Sequence, residues 1–280
     1  MDTYDLLGTR TEQERQELFA RMRAQPGLCR VEPLGAYAAA RYEDAAVLLK
    51  DPRTFSSEAL ALTAAPPWMG PNPVAESLLT KDPPEHTRLR ALVSRAFGAT
   101  GMARLERHVR AVCARLADAA VKQGQVDLVD AFTHRVPRDV IGHLLGLDEA
   151  LWPHFLRWSQ GMAGITSALT PAQQEECRQV VREMKVALLE VMAARRRQPE
   201  DDLVSDLLVA EVEGRVLTED EVLAFLFLLL PAGMDTTTQF LGNVLVTLLR
   251  HPEQWEQARG SRPTCRGCSR RCCATSRPPS

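Results

Sequence analysis

Apolar positions repeat with a helical period over most of this chain and with a strand period only near its start. Leu18, Phe19 and Met22 fall on one stripe and predict an amphipathic helix over residues 11–25. Residues 29–32 and 36–40 flank Pro33-Leu34-Gly35 and predict a hairpin; residues 42–49 then predict a short helix stopped before Asp51-Pro52. Leu105, Val109, Val112 and Leu116 mark a helix over residues 102–122. Trp152, Phe155, Leu156 and Trp158 share helical spacing, and this aromatic stripe reads as packing. Thr170 with Gln173 three residues on is a capping box for a helix reaching Arg197, whose last three arginines suit the negative end of the helix dipole. Residues 201–209 predict a shorter helix and Glu213-Gly214-Arg215 a turn. Earlier, after the short helix at 42–49, the proline-rich residues 58–80, around Trp68 and Met69, predict a long irregular loop.

Two stretches carry more than packing. In the first, Thr218 and Glu221 form a capping box, and residues 222–230 are nearly all apolar, so the helix they begin must be enclosed by protein. Continued to Leu249 it makes a rod of about 45 Å. It is not expected to span a membrane, because Pro231, Asp235 and three threonines interrupt the apolar run. Pro231 removes a helix hydrogen bond, Gly233 adds backbone freedom, and Thr236, Thr237 and Thr238 can bond back to helix carbonyls. Such local conflicts occur preferentially at functional sites; a plain proline kink is the other reading.

The second stretch is Asp82-Pro83-Pro84-Glu85-His86-Thr87-Arg88-Leu89-Arg90. Asp82 and Glu85 have capping-box spacing, with Pro83 suited to the first helical position. His86 and Arg90, four apart, then share a helix face that offers an imidazole and a planar guanidinium to a dicarboxylate. A solvated basic face would carry the same pattern. Arg88 points elsewhere and is given no role.

Composition narrows the class. With 280 residues, 45% hydrophobic, the chain can bury a sizeable core as one large domain or two small ones. A formal net charge of -2 provides no field for nucleic acid or an anionic membrane. The start lacks a charged segment followed by an apolar one, and Cys29, Cys113 and Cys177 are far apart, as for reduced thiols, so a cytoplasmic location is expected. His134, His143 and His154 lack partners at metal-ligand spacing and read as structural.

Ala232-Gly233-x-Asp235-Thr236-Thr237 inside a long apolar helix resembles the oxygen-binding signature of the cytochrome P-450 enzymes, the haem-thiolate monooxygenases. His86-x-x-x-Arg90 resembles that family's propionate-binding pair, and the order of elements to about Gln254 follows the soluble bacterial members. The resemblance implies a mainly α fold with a small β component, the N-terminal portion of the cytochrome P-450 fold, over residues 1–258. It implies haem b, held through His86 and Arg90 and faced by Ala232 and Gly233. Thr236 would hydrogen-bond the bound oxygen and Asp235 would feed it protons. An apolar small-molecule substrate and a ferredoxin-type electron donor follow from the same resemblance. The competing expectation is a non-catalytic helical fragment that does not bind haem productively.

Residues 259–280 break the composition. They hold six arginines and no acid, whereas the first 258 residues hold 28 basic and 36 acidic side chains. Cys265, Cys268, Cys272 and Cys273 crowd this tail; the first pair has zinc spacing, but two adjacent cysteines can hardly complete one tetrahedral site. The family's Glu-x-x-Arg helix and its haem-ligating cysteine loop are not found. Codons read one register off over Gly267 to Arg277 permit a Glu-x-x-Arg, which predicts a frameshift in the coding DNA near residue 260. The tail is expected to be aberrant and disordered, with the axial cysteine missing.

Overall fold

A computed structural model describes residues 3–6, 8, 11–33, 35–165 and 169–260. The expectations for the tail therefore lie outside the described residues, apart from the end of the last helix. Contacts divide the chain into two compact units that meet in sequence between Ser56 and Ser57.

In the first unit, β1 (Thr3–Asp5) runs parallel to β2 (Leu28–Glu32), which pairs antiparallel with β3 (Ala36–Ala39). The hairpin was expected; β1 was not, since three residues are too few for a period to register. α1 (Glu12–Arg23) connects β1 to β2 and opens on a reciprocal cap, in which Thr11 Oγ1 accepts from the Glu14 amide at 3.1 Å and Glu14 accepts from the Thr11 amide at 2.9 Å. Leu18 and Met22 of α1 pack with Tyr4, Cys29 and Val31 into a small core. α2 (Tyr42–Leu48) closes the unit.

The second unit is helical. The expected irregular loop contains α3 (Ala59–Ala64) and two 3₁₀ turns, Pro73–Glu76 and Leu78–Thr80. Local polar groups fold it: buried Asn72 accepts from the Val74 amide at 3.2 Å and donates to the Ala64 carbonyl at 2.7 Å. Met69 is buried in the main core, and Trp68, half-buried, gives its carbonyl to Arg178 at 2.8 Å.

After this segment come α4 (Glu85–Ala96), α5 (Ala99–Gln123), a π-helical turn at Val129–Thr133, α6 (Arg135–Leu144), α7 (Trp152–Ala163), α8 (Pro171–Arg197) and α9 (Leu203–Leu208). A two-stranded ribbon, β4 (Glu211–Val212) and β5 (Arg215–Val216), turns the chain into α10 (Glu219–Arg250), and α11 (Pro252–Gly260) follows.

The start of α4 differs from the sequence reading. Its N-cap is Pro84, without a side-chain cap. Asp82 is drawn instead to the Ser57 amide at 3.0 Å, and Glu85 is taken by Arg88, so neither carboxylate is left to close a box.

α10 is the axis of this unit. Thr218 and Glu221 cap it reciprocally at 3.2 and 2.8 Å. Residues 222–227 and Leu230 are buried against Leu89, Leu92 and Val93 of α4, Phe155 and Trp158 of α7, Met184 and Leu188 of α8, and Val204 and Leu207 of α9. Each fully buried Leu or Phe side chain contributes about 2 kcal/mol. By length and apolarity alone α10 could cross a membrane, yet this half is packed inside protein. The helix runs on through Pro231, and beyond Leu230 only Met234 and Leu248 are buried. An exposed strip follows, Ala232, Thr236, Gln239, Asn243, Val246 and Arg250, at alternating spacings of four and three.

Candidate functional site

The predicted site residues sit on two helices. His86 and Arg90 lie one turn apart on α4, His86 half-buried and Arg90 exposed. Neither side chain has a hydrogen bond or ion pair among the described residues. Arg88 between them is different. Its guanidinium meets Glu85 through Nε at 3.1 Å and Nη2 at 2.5 Å, and Nη2 also meets Glu221 of α10. These two carboxylates hold Arg88 above its ordinary range, with Glu85 the larger influence, and Arg88 in turn holds Glu85 below the usual carboxylate range.

On α10, Ala232 and Thr236 share the exposed strip, and the Thr236 hydroxyl donates to the Ala232 carbonyl at 2.5 Å. This is the back-bond that a mid-helix threonine makes when no better acceptor is near. Asp235 beside it is half-buried and has no side-chain partner among the described residues. The acid is thus less enclosed than a fully buried relay would be.

Gly233 faces the other way. A Cβ built on it would lie 2.5 Å from Cδ1 of Ile141 on α6. The glycine lets α6 and α10 approach, so its lack of a side chain has a packing cause and leaves no room on the exposed strip. The expected place of Gly233 beside Ala232 on the ligand face thus competes with a packing cause.

The two halves of the site are not in direct contact through these residues. α4 joins α10 near its start, through Arg88 and Glu221 and through an edge-to-face pair of Phe97 and Phe225 with centroids 6.3 Å apart. Glu221 lies eleven residues before Ala232, about 16 Å along the axis. Sequence reasoning passed over Arg88; its signal was an acid three residues earlier on α4 and a second acid at the third position of α10.

A cleft of about 500 Å³ between the start of α5 and α9 is lined by Arg95, Arg104, Asp201 and Asp206, but Arg104 is already paired with both acids. Among the described residues no three His, Cys, Asp or Glu side chains gather as a metal site.

The cytochrome P450 family profile matches residues 154–262. Cytochrome P450 107B1 of Saccharopolyspora erythraea is 34% identical over 254 residues, covering 86% of this chain and 61% of that protein. The chain belongs to the cytochrome P450 family. The cyclomarin C epoxidase CymV of Salinispora arenicola is 37% identical over 79% of this chain and 56% of its own length. The solved cytochrome P450 CYP109Q5 of Chondromyces apiculatus superposes with a TM-score of 0.78 at 33% identity, over 92% of this chain and 64% of that one. The chain thus spans about three fifths of the length of the P450 relatives it matches.

Membership in the P450 family implies haem. The residues that could meet it fit in part. His86 and Arg90 offer uncommitted donors to carboxylates, and Ala232 with Thr236 offers a narrow, open strip. The three described cysteines are placed otherwise: Cys29 donates to the Met22 carbonyl at 3.6 Å in the first unit, Cys177 to the Gly161 carbonyl at 3.5 Å, and the half-buried Cys113 thiol is pushed up by burial.

Proposed function

We propose that this chain supplies the oxygen-side helix and the carboxylate-binding face of a haem monooxygenase acting on an apolar small molecule by hydroxylation or epoxidation. α10 carries the reading: a capped helix, enclosed over its first half, opens at Ala232 and Thr236 where local helix rules are broken. Relatives named as an epoxidase and as an erythromycin C-12 hydroxylase support the reaction class.

In this reading Arg90 and His86 bind the propionates of haem b, Arg90 by its planar fork and His86 by one further donor. Haem, when bound, supplies the redox iron at which dioxygen is activated. Ala232 keeps the helix face low enough for a flat ligand. The Thr236 hydroxyl can turn from the Ala232 carbonyl to a ligand on the open side. Asp235, one residue away and without a competing partner among the described residues, carries protons from water to that hydroxyl. None of the described cysteines is assigned to hold the iron, and a ferredoxin-type donor would supply the electrons. The reading sets this protein in the cytoplasm, where thiols such as Cys29, Cys113 and Cys177 stay reduced.

Haem titration of the purified chain, followed by absorbance, tests this. Saturable binding that weakens roughly tenfold or more in Arg90→Ala, with thermal stability unchanged, is the expected result. Binding indifferent to Arg90, or none, would leave a helical fragment with His86, Arg90 and Asp235 as ordinary surface and packing residues.

A further inference from the structure

Arg88 lies between the two donors of α4 and takes no part in the site as described, yet it is the most heavily bonded side chain on that helix. Its side chain is 21% exposed and that of its partner Glu221 18%. Glu221 has two tasks. One carboxylate oxygen accepts the Thr218 amide at 2.8 Å and so fixes where α10 begins; the other accepts Arg88. Glu85, one turn back on α4, also holds Arg88, through the same Nη2 at 2.5 Å and through Nε at 3.1 Å. A guanidinium gripped by two carboxylates in a fork has little freedom to swing, unlike a lone lysine.

Geometry gives this pair leverage. Arg88 is two residues from both His86 and Arg90, about 3 Å along α4 in either direction. Glu221 sits at the capped end of α10, three turns from Ala232. The Phe97–Phe225 contact makes a second link, with Phe225 one turn after Glu221 on the same face of α10. Apolar packing alone is non-directional; Arg88, clamped at both Nε and Nη2 by Glu85 on its own helix, points one nitrogen at the Glu221 oxygen of the α10 cap and so adds direction to the contact.

We infer that the Glu85–Arg88–Glu221 bracket is a positioning device: it sets the registry of the His86/Arg90 donor face against the Ala232–Thr236 strip, so that one flat dicarboxylate ligand can meet both. Arg88 and Glu221 are positioning residues and touch no ligand. The inference rests on the haem reading for its ligand, but its geometric part stands apart from haem.

The test uses the full chain with Arg88→Ala and Glu221→Gln, the second keeping an acceptor for the Thr218 amide while removing the charge that Arg88 needs. The distance between α4 and α10 is measured by paired spin labels on ketone-bearing side chains at the exposed positions Ser94 and Asn243, which leaves every cysteine untouched. Haem dissociation constants are taken on unlabelled protein well below its melting temperature. Each variant is expected to broaden or shift the distance distribution and to weaken haem binding roughly tenfold, with the double variant no worse than either single one. Arg88→Lys, which keeps charge without the fork, is expected to recover part of both.

An unchanged distance distribution in both variants overturns the bracket whether or not haem binds. A shifted distribution with unchanged haem affinity reduces the pair to a structural tie and also overturns the inference. A wild-type chain that fails to bind haem while its variants shift in distance sinks the haem reading and leaves the registry device standing.

Discussion

Gly233→Ala separates packing from ligand space on α10. Two effects oppose each other. Alanine in place of glycine inside a helix is worth about 1 kcal/mol in propensity. Against it, the new Cβ would lie 2.5 Å from Ile141 Cδ1, whereas carbon atoms rest about 3.5–4.0 Å apart. Ile141 is 4% exposed and belongs to the main core, so its end cannot swing into solvent. Forcing it off its rotamer and crowding α6 against α10 costs about 2–3 kcal/mol. The net expectation is a loss of about 1–2 kcal/mol.

Ile141→Val removes the clashing atom, and the next nearest, Cγ1 at 3.4 Å, is an ordinary contact. In that background Gly233→Ala should stabilise by up to about 1 kcal/mol, which makes the coupling about 2 kcal/mol or more. Urea unfolding followed by circular dichroism on the four proteins measures it. Equal effects of Gly233→Ala in both backgrounds would refute the assignment of Gly233 to the α6 contact. A stabilised Gly233→Ala that loses haem binding would restore the glycine to the ligand face.

The buried Asp139 of α6 should be expensive to remove. It accepts from Arg115 at 2.5 Å and from Arg138 at 2.7 and 2.8 Å while only 1% exposed. Asp139→Ala is expected to cost about 2–3 kcal/mol in urea unfolding, at the low end for a broken buried pair because both arginines reach water, and Arg115→Ala less than about 1. Acid should loosen the packing of α5 on α6. His143 has one ring face covered by His108 at 3.8 Å; its pKa is lowered first by burial, then by His108 and Arg104, with Asp202 and Asp201 pulling the other way. A folded value below the unfolded one means stability is full above about pH 6.5 and declines as pH falls through it. His143→Gln should flatten melting temperature against pH between about 5 and 7, and an identical slope in both proteins would dismiss the pair as the cause.

The elements whose ends are written in side chains were legible from sequence. Thr11, Thr170 and Thr218 each supply a cap three residues before a partner, and all three helices begin there. The helix α4 was legible but its cap was not: Asp82 and Glu85 have the right spacing, yet the Ser57 amide takes the first carboxylate and the neighbouring Arg88 the second. Residues 58–80 looked featureless because prolines punctuate them, while the order there comes from Asn72 and Thr80 bonding to backbone, which no period records. At the site, residue type and spacing identified the face shared by His86 and Arg90. They could not give the direction of Gly233, set by an isoleucine about ninety residues away, nor the pairing of Arg88 with Glu221 across 133 residues.

α10 changes its surroundings part-way along. Up to about Leu230 protein encloses it; beyond that Gly233 rests on Ile141 of α6 and Leu241 packs against Val112, Leu116 and Val136, while the strip from Ala232 to Arg250 stays open. A polar substitution on that strip therefore changes what a ligand would meet at little cost to folding, whereas the same change about one-third of a turn round the helix disturbs α5 and α6.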